Sequence, residues 1–236
     1  MSTDLPLLLV PGLLCDERVF AAQTAAFAQS RALPGWGVTD RLTAMAARVL
    51  ADAPDRFALL GHSMGARVAL EIIRIAPERV ARLALVSTGT HPLAAGEADK
   101  RHALRDVGRA NGMAALVDAW LPPMIAPDNR AAPGLYETLF AMCVEQGLPA
   151  FEAQITALLT RPALETLLPT ITCPTLVACG ALDVWSPPAQ HQAMAAVIPH
   201  AMLSIIDGAG HFLPAERAGE LNAAIARWLA GPVSTR

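Results

Sequence analysis

Lysine is almost absent from this chain: of its 18 basic residues only Lys100 is a lysine. A phosphate-cradling loop of the Gly-Lys-Ser/Thr kind is excluded, because Lys100 is followed by Arg101 and His102. A lysine Schiff base would have to use that same residue, in a polar stretch unlike the apolar pockets where such lysines are activated. The four cysteines, Cys15, Cys143, Cys173 and Cys179, never fall at C-x-x-C spacing, which argues for reduced structural thiols and against zinc or thioredoxin-like chemistry. Charged residues make up 17% of the chain against 53% hydrophobic, so general disorder is excluded. A net charge of -3 offers no attraction toward nucleic acid or an anionic membrane. No apolar run approaches the roughly 20 residues that span a bilayer, and the run ending at Val10 stops at Pro11-Gly12. Met1-Ser2-Thr3-Asp4 carries no basic stretch of a secretory signal, so a cytoplasmic globular protein is expected.

What the chain does have, over 236 residues, is alternation. Short apolar runs at 5–10, 57–60, 83–86, 175–179 and 202–206 read as strands buried on both faces, with a weaker one at 30–33. Helical patterns lie between and beyond them at 18–28, 40–51, 65–76, 188–197 and 217–229. This pattern predicts a doubly wound, mostly parallel sheet of about six strands flanked by helices. Residues 89–168 break the alternation, with helical patterns cut by Leu121-Pro122-Pro123 and Ala132-Pro133-Gly134 and no convincing strand. A stretch of that length far exceeds a crossover connection. It is expected to be a helical cap inserted into a core formed by 1–88 and 169–236.

Gly61-His62-Ser63-Met64-Gly65 lies between a predicted strand and a predicted helix. That context marks a G-x-S-x-G nucleophile elbow, in which a sharp turn lifts the Ser63 hydroxyl clear of the sheet. Gly61 and Gly65 keep side chains out of the place where strand and helix nearly touch. A serine needs a base within hydrogen-bond reach, and the expected order is Ser, Asp/Glu, His. Asp183 follows the 175–179 strand and His211 follows the 202–206 strand. Both therefore sit past carboxyl ends, where open α/β sheets place ligands. His211 would accept the Ser63 proton, and Asp183 would orient the imidazole. Gly12 ends the first strand in a turn, so the backbone amides of Leu13 and Met64 are candidates for an oxyanion hole.

Other residues compete for roles. His62 is expected to point elsewhere on the elbow, His191 and His200 to lie on the surface, and His102 to lie in a charged helical stretch. Leu14 and Trp185 neighbour catalytic elements and are expected to line the substrate pocket, with His91 a further candidate. Arg67 falls in line with Glu71, Arg74 and Glu78, a spacing that predicts a solvated helix face with an i,i+4 ion pair.

Taken together, the Pro11-Gly12 turn, the 61–65 elbow, Asp183, His211 and the helical stretch at 89–168 closely resemble the α/β-hydrolase family along essentially the whole chain. The first predicted strand starts at Leu5, without the two leading antiparallel strands of many members. Pro11 stands where a histidine usually precedes the oxyanion glycine, and Leu33-Pro34-Gly35-Trp36-Gly37 replaces the commoner Gly-His-Gly loop. The resemblance implies a serine hydrolase needing no cofactor, and a carboxylesterase acting on small to medium apolar esters is the leading expectation. The elbow through Arg67, with Thr90-His91-Pro92-Leu93, also resembles the menaquinone-pathway lyase family, where the arginine four positions after the serine helps hold substrate carboxylates. A lyase or a carbon–carbon bond hydrolase with the same triad is the alternative. A ligand sensor without turnover ranks below both, since it has no need of Asp183 and His211.

Overall fold

The computed structural model describes residues 5–231. The opening Met1-Ser2-Thr3-Asp4, read above for a leader, lies outside the described residues. Six strands form one sheet: β1 (Leu7–Val10), β2 (Ser30–Ala32), β3 (Phe57–His62), β4 (Val80–Val86), β5 (Thr175–Gly180) and β6 (Met202–Ile206). The order is β2-β1-β3-β4-β5-β6 and every neighbouring pair is parallel. β1, β3, β4 and β5 are buried at every position, as continuous apolarity demands of strands covered on both faces. β6 is different. It is an edge strand in which only Ile206 is buried, so the expectation of burial along 202–206 is corrected.

The helices of the sheet layers are α1 (Ala21–Ala26), α2 (Leu42–Asp52), α3 (Met64–Ile75), α8 (Pro188–Val197), α9 (Leu213–Glu216) and α10 (Ala218–Ala230). Between β4 and β5 the chain forms α4 (Glu97–Asn111), α5 (Met113–Trp120), α6 (Leu135–Gln146) and α7 (Leu148–Leu159), with short 3-10 turns and no strand among the described residues. The stretch expected as one helix at 18–28 divides into a 3-10 turn at Glu17–Phe20, capped by the Asp16 side chain, and α1. β4 begins three residues earlier than its apolar run, because Arg82 can be buried there. Its Nη1 donates to the Trp228 carbonyl at 2.6 Å and its Nη2 to that of Gly231, satisfying the end of α10. No helix among the described residues is long and apolar enough to cross a membrane.

Because all strands run the same way, the carboxyl ends of β3, β5 and β6 open on one edge of the sheet. Ser63, Asp183 and His211 follow those three ends.

Candidate active site

Ser63 sits between β3 and α3 with φ 54° and ψ −118°, a conformation costly for a residue with a Cβ. The surroundings hold it there. Its amide donates to the Val86 carbonyl at 2.9 Å, and its carbonyl accepts from the Thr88 hydroxyl at 3.0 Å. A Cβ on Gly61 would lie 2.4 Å from the Ala66 Cα, so only glycine lets β3 and α3 meet so closely.

Ser63 Oγ lies 2.8 Å from His211 Nε2, and His211 Nδ1 lies 2.9 Å from Asp183 Oδ2. The other oxygen of Asp183 accepts from the amides of Trp185 at 2.9 Å and Ser186 at 2.8 Å. Burial pushes the Asp183 carboxyl up, but His211 and these two amides outweigh it and hold the group below the usual carboxylate range. An ionised Asp183 accepts at Nδ1–H, which leaves the Nε2 lone pair facing the serine hydroxyl.

His62 does point away from the serine, and it reaches the backbone of His211. Its Nε2 lies 2.8 Å from the His211 carbonyl oxygen, which can only accept, so the proton is on Nε2. Burial, then the neighbouring His211, lowers its pKa to about 3. The expectation of a surface His191 is corrected. The ring is fully buried on the inner side of α8, its Nε2 accepts from the Thr88 amide at 3.0 Å, and its Nδ1 faces the Pro187 carbonyl at 3.3 Å. Burial lowers its pKa to about 4. His200 is exposed and His102 half-buried on α4.

A cavity of about 270 Å³ opens over Ser63 and His211, and Leu13, Met64, His91 and Trp185 line it. Leu14 does not. Its φ of 56° turns the side chain fully into the core while its amide donates to Gln154 Oε1 at 2.8 Å, so its expected pocket role is corrected. Trp120, Met124 and Phe151, from the insertion between β4 and β5, supply much of the apolar wall. Burial, with the cations Arg67 and Arg161, holds His91 below the usual imidazole range.

The largest departure from the sequence reading is Arg67. Instead of joining a solvated face, it is 6% exposed and lines the cavity. Glu71 is wholly buried, paired with Arg74 at 2.7 Å. Arg67 Nη2 donates to the His91 carbonyl at 3.4 Å, and Nη1 has no hydrogen-bond partner. Nearby, Arg161 and Arg101 share the single carboxylate of Glu97, at 2.7 and 2.8 Å. Burial, then repulsion from Arg161, lowers the Arg67 pKa to about 9, which leaves it charged at neutral pH.

Comparison with known proteins agrees with this architecture. An esterase from Thermogutta terrifontis, solved with malate bound, is 28% identical, with a TM-score of 0.88 over 95% of this chain and 89% of its own. The enol-lactonase from Burkholderia xenovorans LB400 is 23% identical, with a TM-score of 0.84 over 96% of this chain and 92% of its own. At that identity the likeness shows the fold alone. The "Putative carbamate hydrolase RutD" of Cronobacter turicensis is 28% identical over 181 residues, 75% of this chain and 67% of that one. The family model described as "Alpha/beta hydrolase family" matches residues 7–224, and the chain belongs to that family.

Proposed function

We propose that the protein is a serine hydrolase that cleaves small carboxylic esters through an acyl-serine intermediate, and that its preferred esters carry a carboxylate. The observation that carries the first part is the continuous hydrogen-bonded line from Ser63 Oγ through His211 to Asp183. His211 Nε2 takes the Ser63 proton as Oγ attacks the ester carbonyl, and Asp183 stabilises the imidazolium. The tetrahedral oxyanion meets the amides of Leu13 and Met64, each such donor contributing on the order of 3 kcal/mol in the transition state. Collapse breaks the carbon–oxygen bond to the alcohol, which leaves with the proton from His211. Water, deprotonated by the same imidazole, then releases the acid and restores the serine.

Arg67 supports the second part and modifies the expectation of a purely apolar substrate. The cavity has apolar walls, yet its lining carries Arg67, Lys100, Arg101 and Arg161 against one carboxylate, Glu97. A buried guanidinium lacking a carboxylate partner is costly until an anion meets it, and a planar carboxylate fits its geometry. The malate in the Thermogutta terrifontis esterase, a dicarboxylate bound by a 28% identical protein, agrees with this. The same feature favours one second reading, an elimination on a carboxylate-bearing substrate with His211 as base.

Fluorophosphonate labelling followed by mass spectrometry is expected to modify Ser63. Stopped-flow assays with p-nitrophenyl butyrate should then give a stoichiometric burst followed by turnover. Absence of label on Ser63 overturns the hydrolase reading. Labelling without cleavage of any neutral or anionic ester favours the elimination.

A further inference from the structure

Glu216 ends the short helix α9, five residues after His211, and is 7% exposed. Its carboxylate accepts four hydrogen bonds. Oε2 takes the Gly210 amide at 3.0 Å, the Ala126 amide at 2.8 Å and Asn129 Nδ2 at 2.8 Å, while Oε1 takes the Phe212 amide at 3.0 Å. The residues on either side of His211 are therefore tied to one side chain. The amide of His211 itself donates to the Met124 carbonyl at 2.7 Å. Met124 lines the cavity and lies in the same short segment, 122–129, that Glu216 grips through Ala126 and Asn129. Asn129 Nδ2 also donates to the Gly208 carbonyl at 2.8 Å, closing the loop onto the segment a second time.

We infer that Glu216 is a positioning residue: one buried carboxylate sets the backbone on both sides of His211 and fastens it to the 122–129 wall of the cavity. Only the ionised form can accept four donors without offering one of its own. An amide in its place must turn its NH₂ toward either the three donors at Oε2 or the Phe212 amide at Oε1, and the latter loses least. The Phe212 peptide then moves, and with it the ring that must stay within 2.8 Å of Ser63 Oγ. Misplacement by about 1 Å costs on the order of 100-fold in rate. Glu216 touches neither serine nor histidine side chain, so it acts through the backbone alone.

The inference rests on His211 serving Ser63, and the test separates the two. In Glu216→Gln, kcat with p-nitrophenyl butyrate is expected to fall about 10- to 100-fold with KM changed less than about threefold. The rate of fluorophosphonate labelling should fall in parallel. Hydrogen exchange should speed up at the amides of 210–212 and 124–126 together, while the amides of β1 and β3 keep their protection. Glu216→Asp should regain part of the lost kcat. If wild-type Ser63 takes no label, the hydrolase reading has failed, whereas equal labelling rates in wild type and Glu216→Gln overturn the positioning role alone. Should Glu216→Gln not fold, Glu216→Asp and Asn129→Ala decide. Lowered kcat at nearly constant KM in both supports the inference, and kcat within twofold of wild type in both rejects it.

Discussion

Gly65 and Val10 meet backbone to backbone: a Cβ on Gly65 would lie 2.1 Å from the Val10 carbonyl oxygen. β1 and the start of α3 can be this close only without a side chain at position 65, and a Cβ on Gly12, in the turn after β1, would lie 3.1 Å from the Ser63 Cβ. Gly65→Ala is expected to cost about 3 kcal/mol or more, since backbone rather than a flexible side chain must move. Gly219→Ala serves as the contrast. Gly219 lies in α10 with open space around it and an ordinary φ, so alanine there should stabilise by up to about 1 kcal/mol. Thermal melts of the two variants check both signs, and a Gly65→Ala protein melting with wild type would refute the crowding argument.

Replacing the reacting groups should remove turnover without removing the fold. Ser63→Ala and His211→Ala are each expected to lower kcat by about 10⁴- to 10⁶-fold, and Asp183→Asn by about 10⁴-fold through loss of the required tautomer. Circular dichroism should stay at the wild-type spectrum for Ser63→Ala. Near-normal turnover in Ser63→Ala or His211→Ala would sink the mechanism.

Much of this architecture is legible in the sequence, and the boundary of legibility has a physical meaning. β1, β3, β4 and β5 stand out because strands buried on both faces must be apolar throughout; Ser63 and Asp183 stand out because each follows such a strand, and His211 because it follows the apolar run of the edge strand β6. Arg67 reads as a solvated face because periodicity records spacing, whereas its burial depends on what the chain between β4 and β5 lays over α3. His191 and Arg82 are hidden for the same reason. Their burial is permitted by acceptors and donors far along the chain, at Thr88 for the first and at Trp228 for the second. The grip of Glu216 on the 122–129 segment carries no local signal, since Ala126 lies 90 residues away from it. Leu14 fails in the opposite sense: it does neighbour the Pro11-Gly12 turn, but with a positive φ its side chain lies in the core.

Arg67 offers a test of substrate charge. Arg67→Met should lower kcat/KM for mono-p-nitrophenyl glutarate by about 10- to 100-fold, as a lost charged hydrogen bond implies, and leave p-nitrophenyl butyrate within about threefold. The variant should be no less stable than wild type, because an unpaired buried cation is removed. In the wild type the preference for the anionic ester should hold between pH 6 and pH 8, where Arg67 keeps its charge. Equal loss on both esters would assign Arg67 to packing instead.

His191 and His62 predict where acid weakens the fold. Their folded-state pKa values, about 4 and about 3, lie below the ordinary imidazole value near 6.5. Between those values the unfolded chain binds more protons than the folded one, so stability rises with pH across the window and is complete above about 6.5. Each unit of depression is worth about 1.4 kcal/mol, so acidification from pH 6.5 to 4 should cost about 3 kcal/mol through His191 alone. Asp183 does not oppose this, because its lowered pKa preserves its contribution until the pH falls below the carboxylate range. Urea midpoints should therefore drop between pH 7 and pH 5. His191→Gln keeps an acceptor for the Thr88 amide but cannot take up a proton, so its midpoint should fall less over the same interval. Identical pH slopes in wild type and His191→Gln would mean that the buried imidazole is not what acid attacks.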